Sequence, residues 1–394
     1  MKVLLIGEYS NVHATLAEGL RELGHEVTVV SNGDFWKDYP RDIDVTRRPG
    51  VLGGLLLTAR LYRLLPRLRG YDVVQLINPM FFELKAERLF FFYRYLRRHN
   101  KKVFLCGFGM DWYWVHTCTY DKPLRYSDFN FGDQVRTDPE ALRYQRDWLG
   151  TAKERLNRMI ADDCDGIITG LYEYWVCYHP AFPAKTTYIP YPIKLAHPLA
   201  HSGTVLFCAT PNRDDAVAQK RTVPECASVP ECASVPDCAT IFIGINRERS
   251  AYKGTDIMLR AAKDTLAKYP DRMKLLVAES VPFEEYCRMM DSSDAILDQL
   301  YAYTPSMNPL LAMSKGIICI GGGEPENYEI IHETELRPII NVEPTYESVC
   351  EALEQLVLHP ERIPELKAQS VEYVRRHHDY LKVARQYLAF WDKK

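Results

Sequence analysis

Val3–Ile6, Glu26–Val30, Val73–Ile77, Lys102–Cys106 and Gly166–Thr169 are short, almost wholly apolar runs, and stretches of helical period separate them. A strand that is apolar on both sides has both faces covered, so this alternation predicts a parallel sheet with helices above and below. The helices are expected at Ala14–Leu23, ended by Gly24, and at Leu55–Leu68, Glu83–His99 and Pro139–Ala161. Together they form a doubly wound α/β unit over residues 1–185.

Prolines then crowd together at Pro180, Pro183, Pro190, Pro192 and Pro198. Proline removes backbone donors and discourages helix, so residues 186–204 read as an interdomain linker. The alternation resumes over 205–375, with strands at Val205–Ala209, Thr240–Ile245, Lys274–Ala278, Ala295–Asp298, Ile317–Ile320 and Pro338–Val342. Helices are expected at Thr255–Lys268, Phe283–Asp291, Asn308–Ser314, Tyr346–Leu358 and Ile363–Tyr387. Residues 376–394, rich in aromatics through Trp391, read as a helix returning towards the first unit. Across Val223–Thr240 the run VPECAS-VPECAS-VPDCAT breaks the pattern. Proline at every sixth position excludes a helix, and Cys226, Cys232 and Cys238 lack the close spacing of a zinc site, so the segment reads as an inserted surface loop.

At 394 residues and 47% hydrophobic, the chain suits two cores rather than one. A formal charge of −3 with no basic block argues against nucleic-acid binding. Cys106, Cys208 and Cys319 lie in strand-like runs, where a free thiol behaves as a small hydrophobe. MKVLLIGEYS reads as strand and turn rather than a secretion signal, and no run reaches the length of a membrane span. The expectation is a reduced, cytoplasmic protein.

Two segments carry chemistry. IFIGINRERSAYKGTD (Ile241–Asp256) is a strand that runs into a segment bearing Arg247, Arg249, Lys253 and Gly254, with Thr255 and Asp256 opening a helix. Cations beside a helix start favour a diphosphate, because the dipole and free amides add to the charge. GGGEPENYE (Gly321–Glu329) follows a buried strand; Gly322 and Gly323 permit close approach or positive φ, and Glu324 and Glu326 suit sugar hydroxyls. Ser306, Met307 and Asn308 start a helix whose amides also suit the diphosphate, although an ordinary cap explains them equally.

These elements resemble the GT-B glycosyltransferases, in particular the retaining "glycosyl transferases group 1" set. GINRERSAYKGTDIMLRAA is similar to that family's strand–Arg–Lys-Gly–helix donor element, and MNPLLAMSKGIICIGGGEPE to its helix–strand unit. The resemblance implies that Lys253 and an arginine, Arg247 or Arg249, bind the diphosphate of a nucleotide-sugar. It also implies a metal-independent hexosyl transfer with no cofactor. Two departures stand out. Tyr303 and Leu311 occupy the positions where the family places two glutamates, and CGFGMDWYWVH lacks the family's histidine, with Asp111 nearest and His116 beyond it. Glu324 is the candidate substitute for the missing carboxylates.

On the opposite side, Tyr9, Ser10, Asn11 and His13 join the first strand to the first helix and are candidates to line the acceptor side. GEYSN lacks the G-x-G-x-x-G spacing of a dinucleotide site. Asp111, at a strand end, suits polarising an acceptor hydroxyl and equally suits capping the turn after it. RLYRLLPRLR (Arg60–Arg69) and Arg88–Lys102 mix bulky apolar residues with cations, which suits the inner face of a membrane as well as simple packing on a sheet. The expected function is transfer of a sugar to a surface-polysaccharide or lipid-linked glycan acceptor. The alternatives are a nucleotide-sugar-binding protein with little turnover and an epimerase of the same fold.

Overall fold

A computed structural model describes residues 1–195, 238–279 and 281–394. The expected strand at Val205–Ala209 and most of the linker and of the hexapeptide repeat lie outside the described residues.

Two parallel sheets organise the chain, so the doubly wound architecture expected from the apolar strands is present. The first sheet holds β1 (Lys2–Ile6), β2 (Glu26–Ser31), β3 (Ile43–Asp44), β4 (Val73–Leu76) and β5 (Lys102–Gly107). A two-stranded hairpin, β6 (Asn130–Phe131) with β7 (Gln134–Val135), intervenes before β8 (Gly166–Thr169) and β9 (Thr186–Tyr188). The order is β3-β2-β1-β4-β5-β8-β9, every pairing parallel. The second sheet holds β10 (Ala239–Ile245), β11 (Met273–Glu279), β12 (Ala295–Leu297), β13 (Ile318–Gly321) and β14 (Ile340–Asn341), in the order β11-β10-β12-β13-β14. Val3 to Ile6 and Ile241 to Ile243 are fully buried, as strands covered on both faces require.

Some expected helices are interrupted. Pro139–Ala161 is two helices, Pro139–Trp148 and Ala152–Asp163, parted at Gly150. Ile363–Tyr387 is also two, Ile363–His377 and Tyr380–Lys393. Asp379 makes the second break by accepting the free amides of Leu381 and Lys382. Ile193 sits in that break, donating to the His378 carbonyl at 2.7 Å and accepting from Tyr380 N–H at 3.1 Å. The final helix then lies along the first, Val12–Glu22, and buries Tyr387 and Trp391 completely.

Candidate interdomain donor site

The cationic segment is helical where the sequence suggested a loop, and this sorts its charges. Arg247–Arg249 form one 3-10 turn and Ser250–Lys253 one α-turn, before Gly254 at φ 71° starts the helix Thr255–Lys268. Residues two apart in a helical turn face opposite ways, whereas residues four apart share a face. Arg247 therefore points outwards to pair with Glu279, beside Ser250 and Asp256. Arg249 and Lys253 turn together towards the first half. Arg249 lies 3.3 Å from Glu140 and stacks over Tyr252. Sequence left open which arginine accompanies Lys253; Arg249, and not Arg247, shares its face.

Lys253 is half-buried there. Burial first, and then the neighbouring Arg249 charge, push its ammonium pKa down, while Asp298 and Asp128 oppose this. An ammonium in that state gains from an arriving anion. Asp298 follows β12, and burial raises its carboxyl to about 6 against the pull of Lys253 and Asn308. Asn308 is held by Tyr286, its amide donating to the hydroxyl at 3.0 Å. Ser306 is the N-cap of Met307–Ser314 but its side chain caps no amide, and Met307 is buried in the core. These groups gather where β10 and β12 end, the usual ligand position in open α/β sheets.

The glycine segment behaves differently from expectation. Gly322 and Gly323 have ordinary negative φ, and protein occupies the space beside them. A Cβ at Gly322 would lie 2.3 Å from the Ala302 carbonyl oxygen, and one at Gly323 2.7 Å from Ile339. Their lack of a side chain serves packing and not ligand approach. Glu324 is 6% exposed and fully engaged by the first half: Tyr126 donates its hydroxyl and Arg125 its guanidinium at 2.7 Å. Arg125 also pairs with Glu326 and lies over the Tyr303 ring at 5.0 Å. Burial would raise Glu326, but the Arg125 hydrogen bond and charge bring it below the ordinary range. Tyr303, at a position where a glutamate was expected, accepts the Arg125 amide on its hydroxyl at 2.7 Å. Glu173 accepts the amides of Tyr303 and Thr304 at 2.7 and 3.1 Å, a second bond between the halves.

On the acceptor side the structure corrects several expectations. Asp111 is fully buried, with Trp114 N–H on one oxygen and the Tyr178 hydroxyl on the other. Burial raises its pKa to about 7, and it caps the helix Trp112–His116. A carboxylate with both oxygens engaged and no exposed surface reaches no acceptor. His13 is also fully buried, bonded to the Gly7 carbonyl at 2.8 Å and to Gln75 at 3.0 Å, and burial lowers it to about 3. It is a neutral structural histidine. His116 packs on Trp112 and Tyr120. Tyr9 stays half-buried beside Gly109. Ser10 and Asn11 take left-handed φ of 52° and 73°, and neither side chain caps the first helix. Ser10 instead joins Asp34 and Lys37.

The first helix is capped by Glu8, which sequence did not single out. Its two oxygens accept the amides of His13 and Ala14 at 3.3 and 2.8 Å, and burial raises it to about 7. A carboxylate thus fills the anion position at this helix start. Arg125, Tyr126 and Glu173 carried no local signal. Asp298 had one: it ends an expected strand on the cleft side. Among the described residues no cluster of His, Cys, Asp or Glu suits a metal.

Solved structures share this arrangement of two sheets. Sucrose-phosphate synthase from Thermosynechococcus elongatus matches with a TM-score of 0.60 over 100% of this chain and 99% of that one, at 12% identity. The chain has the GT-B fold. Anabaena HepE in complex with UDP-glucose matches with a TM-score of 0.56 over 100% of both chains, at 10% identity. A Listeria monocytogenes protein assigned as a UDP-N-acetylglucosamine 2-epimerase gives 0.52 over 98% of this chain and 95% of that one, at 12% identity. No protein-family model matches the sequence, and no curated protein matches it. Within the GT-B fold, Arg249 and Lys253 belong to the second half, and Tyr9 and Asp111 to the first.

Proposed function

We propose that the chain is a metal-independent glycosyltransferase that takes a hexosyl group from a nucleotide-diphospho-sugar. The observation that carries this reading is the pair Arg249 and Lys253, on one helical face at the end of β10, with burial and the Arg249 charge lowering the pKa of the Lys253 ammonium. In the reaction the anomeric carbon–oxygen bond breaks and the electron pair leaves with the diphosphate. An acceptor hydroxyl oxygen forms the new bond, and its proton passes to the departing diphosphate. Negative charge grows on the leaving group, and fixed cations stabilise that charge most. Retention rests on the resemblance of the donor segments.

The acceptor is proposed to be a surface-polysaccharide or lipid-linked glycan, with contact at the inner face of a membrane. Helix Gly50–Leu64 supports this contact. Gly53, Leu57 and Leu61 bury one face, yet Leu52, Leu55, Leu56 and Tyr62 stay exposed on the other, next to Phe91. Between Asp44 and Asp72 there are six arginines and no carboxylate. An apolar stripe beside these arginines complements anionic lipid.

A second reading is a nucleotide-sugar-binding protein without turnover. It is favoured by Asp111 and Glu324, since neither carboxylate is free for an acceptor. An epimerase remains the third, in keeping with the Listeria likeness. Purified protein is incubated with UDP- and GDP-sugars, with and without glycan acceptors, and released nucleoside diphosphate is measured. Release that rises with acceptor supports transfer. Binding without release supports the second reading, and an altered sugar on intact donor the third.

A further inference from the structure

Arg125 joins the halves at one point and holds two carboxylates of the glycine segment, Glu324 and Glu326. It lies in the first half, between Lys122 and the β6–β7 hairpin, with its side chain 55% exposed. Its guanidinium forks between Glu324 and Glu326, and its own amide donates to Tyr303. Glu324 has one oxygen on Arg125 and the other on Tyr126, and almost no surface. A ligand hydroxyl reaches Glu324 only by displacing one of these partners. Of the two, Arg125 leaves more easily: it is half in water already, whereas the ring of Tyr126 is buried. Tyr303 suits this arrangement. A carboxylate at that position would compete for Arg125, but the phenol supports the guanidinium with its ring and fixes the backbone with its hydroxyl.

We propose that Arg125 is a positioning residue that latches the halves together through Glu324 and Glu326 in the sugar-free protein, and that the sugar of a nucleotide-sugar displaces it. The ligand class rests on the function proposed above; the latch itself rests on the contacts. A nucleoside diphosphate without sugar meets Arg249 and Lys253 and leaves the latch closed. The sugar-bearing ligand opens it, so part of its binding free energy is spent on that opening.

The two ligand classes separate the idea from a general structural role. Calorimetric titration of UDP and UDP-glucose, with GDP and GDP-mannose as a second pair, is run on the wild-type chain and on Arg125→Ala. The variant is expected to bind the sugar-bearing member about three- to tenfold more tightly and the bare diphosphate unchanged. Arg125→Lys, a point charge without the fork, is expected between the two. An equal change for both ligands, or weaker binding of the nucleotide-sugar alone, overturns the proposal. If neither pair binds either protein, the donor reading fails and the latch is still measured. Small-angle scattering of free Arg125→Ala and Glu326→Gln is then expected to show a larger radius of gyration than wild type, and unchanged scattering overturns the latch.

Discussion

Four buried titratable residues set opposing pH dependences. Asp111 and Glu8 are raised to about 7 by burial, while His13 and His378 are lowered to about 3 by burial. For a raised carboxyl, the folded chain holds a proton that the unfolded chain has lost. Stability therefore falls as pH climbs from the ordinary carboxylate value to about 7. For a lowered histidine the unfolded chain holds the extra proton, so stability is full above the ordinary histidine value and is lost as pH falls towards 3. Between roughly pH 4 and 6.5 the two effects oppose. Asp111→Asn keeps the cap to Trp114 and removes one falling contribution. Its urea midpoint should rise with pH across that window more steeply than wild type, and should exceed wild type at pH 8. A profile parallel to wild type would refute the burial assignment. Sequence placed Asp111 at a strand end but left cap and acid open, because the deciding partner, Tyr178, is 67 residues away.

Elements were more legible than the residues on them. The helix Thr255–Lys268 and its start at Gly254 follow from pattern and glycine alone, and Arg249 separates from Arg247 once the intervening turn is helical. Breaks were harder to read, because Gly150 and Asp379 sit inside otherwise continuous helical periodicity. Helix Gly50–Leu64 shows the limit of pattern reading. Its apolar residues run right round, so sequence could not say which face is buried; Leu57 and Leu61 join the core over the first sheet, and Gly53 packs on the Arg48 backbone. The exposed stripe predicts co-sedimentation with vesicles containing phosphatidylglycerol and little with pure phosphatidylcholine. Leu55→Glu with Leu56→Glu should abolish it. Binding that survives the double change, or a dimer that dissociates on making it, would assign the stripe elsewhere.

At the scale of the whole molecule, the halves have unequal anion capacity. Glu8 fills the start of the first helix with its own carboxylate, while in the second half Arg249, beside Glu140, and the half-buried Lys253 lie together on one face. Titration with nucleoside diphosphate should saturate at about one per chain, and Lys253→Ala should weaken it about tenfold or more, a loss of charge-assisted contact. Two sites of similar strength, or an unchanged affinity in the variant, would defeat this. The division into two parallel sheets was readable because apolar strands alternate with helices locally. The contacts between the sheets were not, since Arg125 and Glu324 are 199 residues apart and Arg125 carries no motif.

The crossing of the final helix also orders events in time. Tyr387 and Trp391 fill the core between the first helix and β5, and the Trp391 carbonyl receives Lys102 at 2.7 Å. The first half is made before the second but lacks part of its interior until residue 391 has left the ribosome. The second sheet, complete by Asn341, has all its strands earlier. On the growing chain, the part made first is therefore the part finished last, and its unfilled groove must be shielded while the rest emerges.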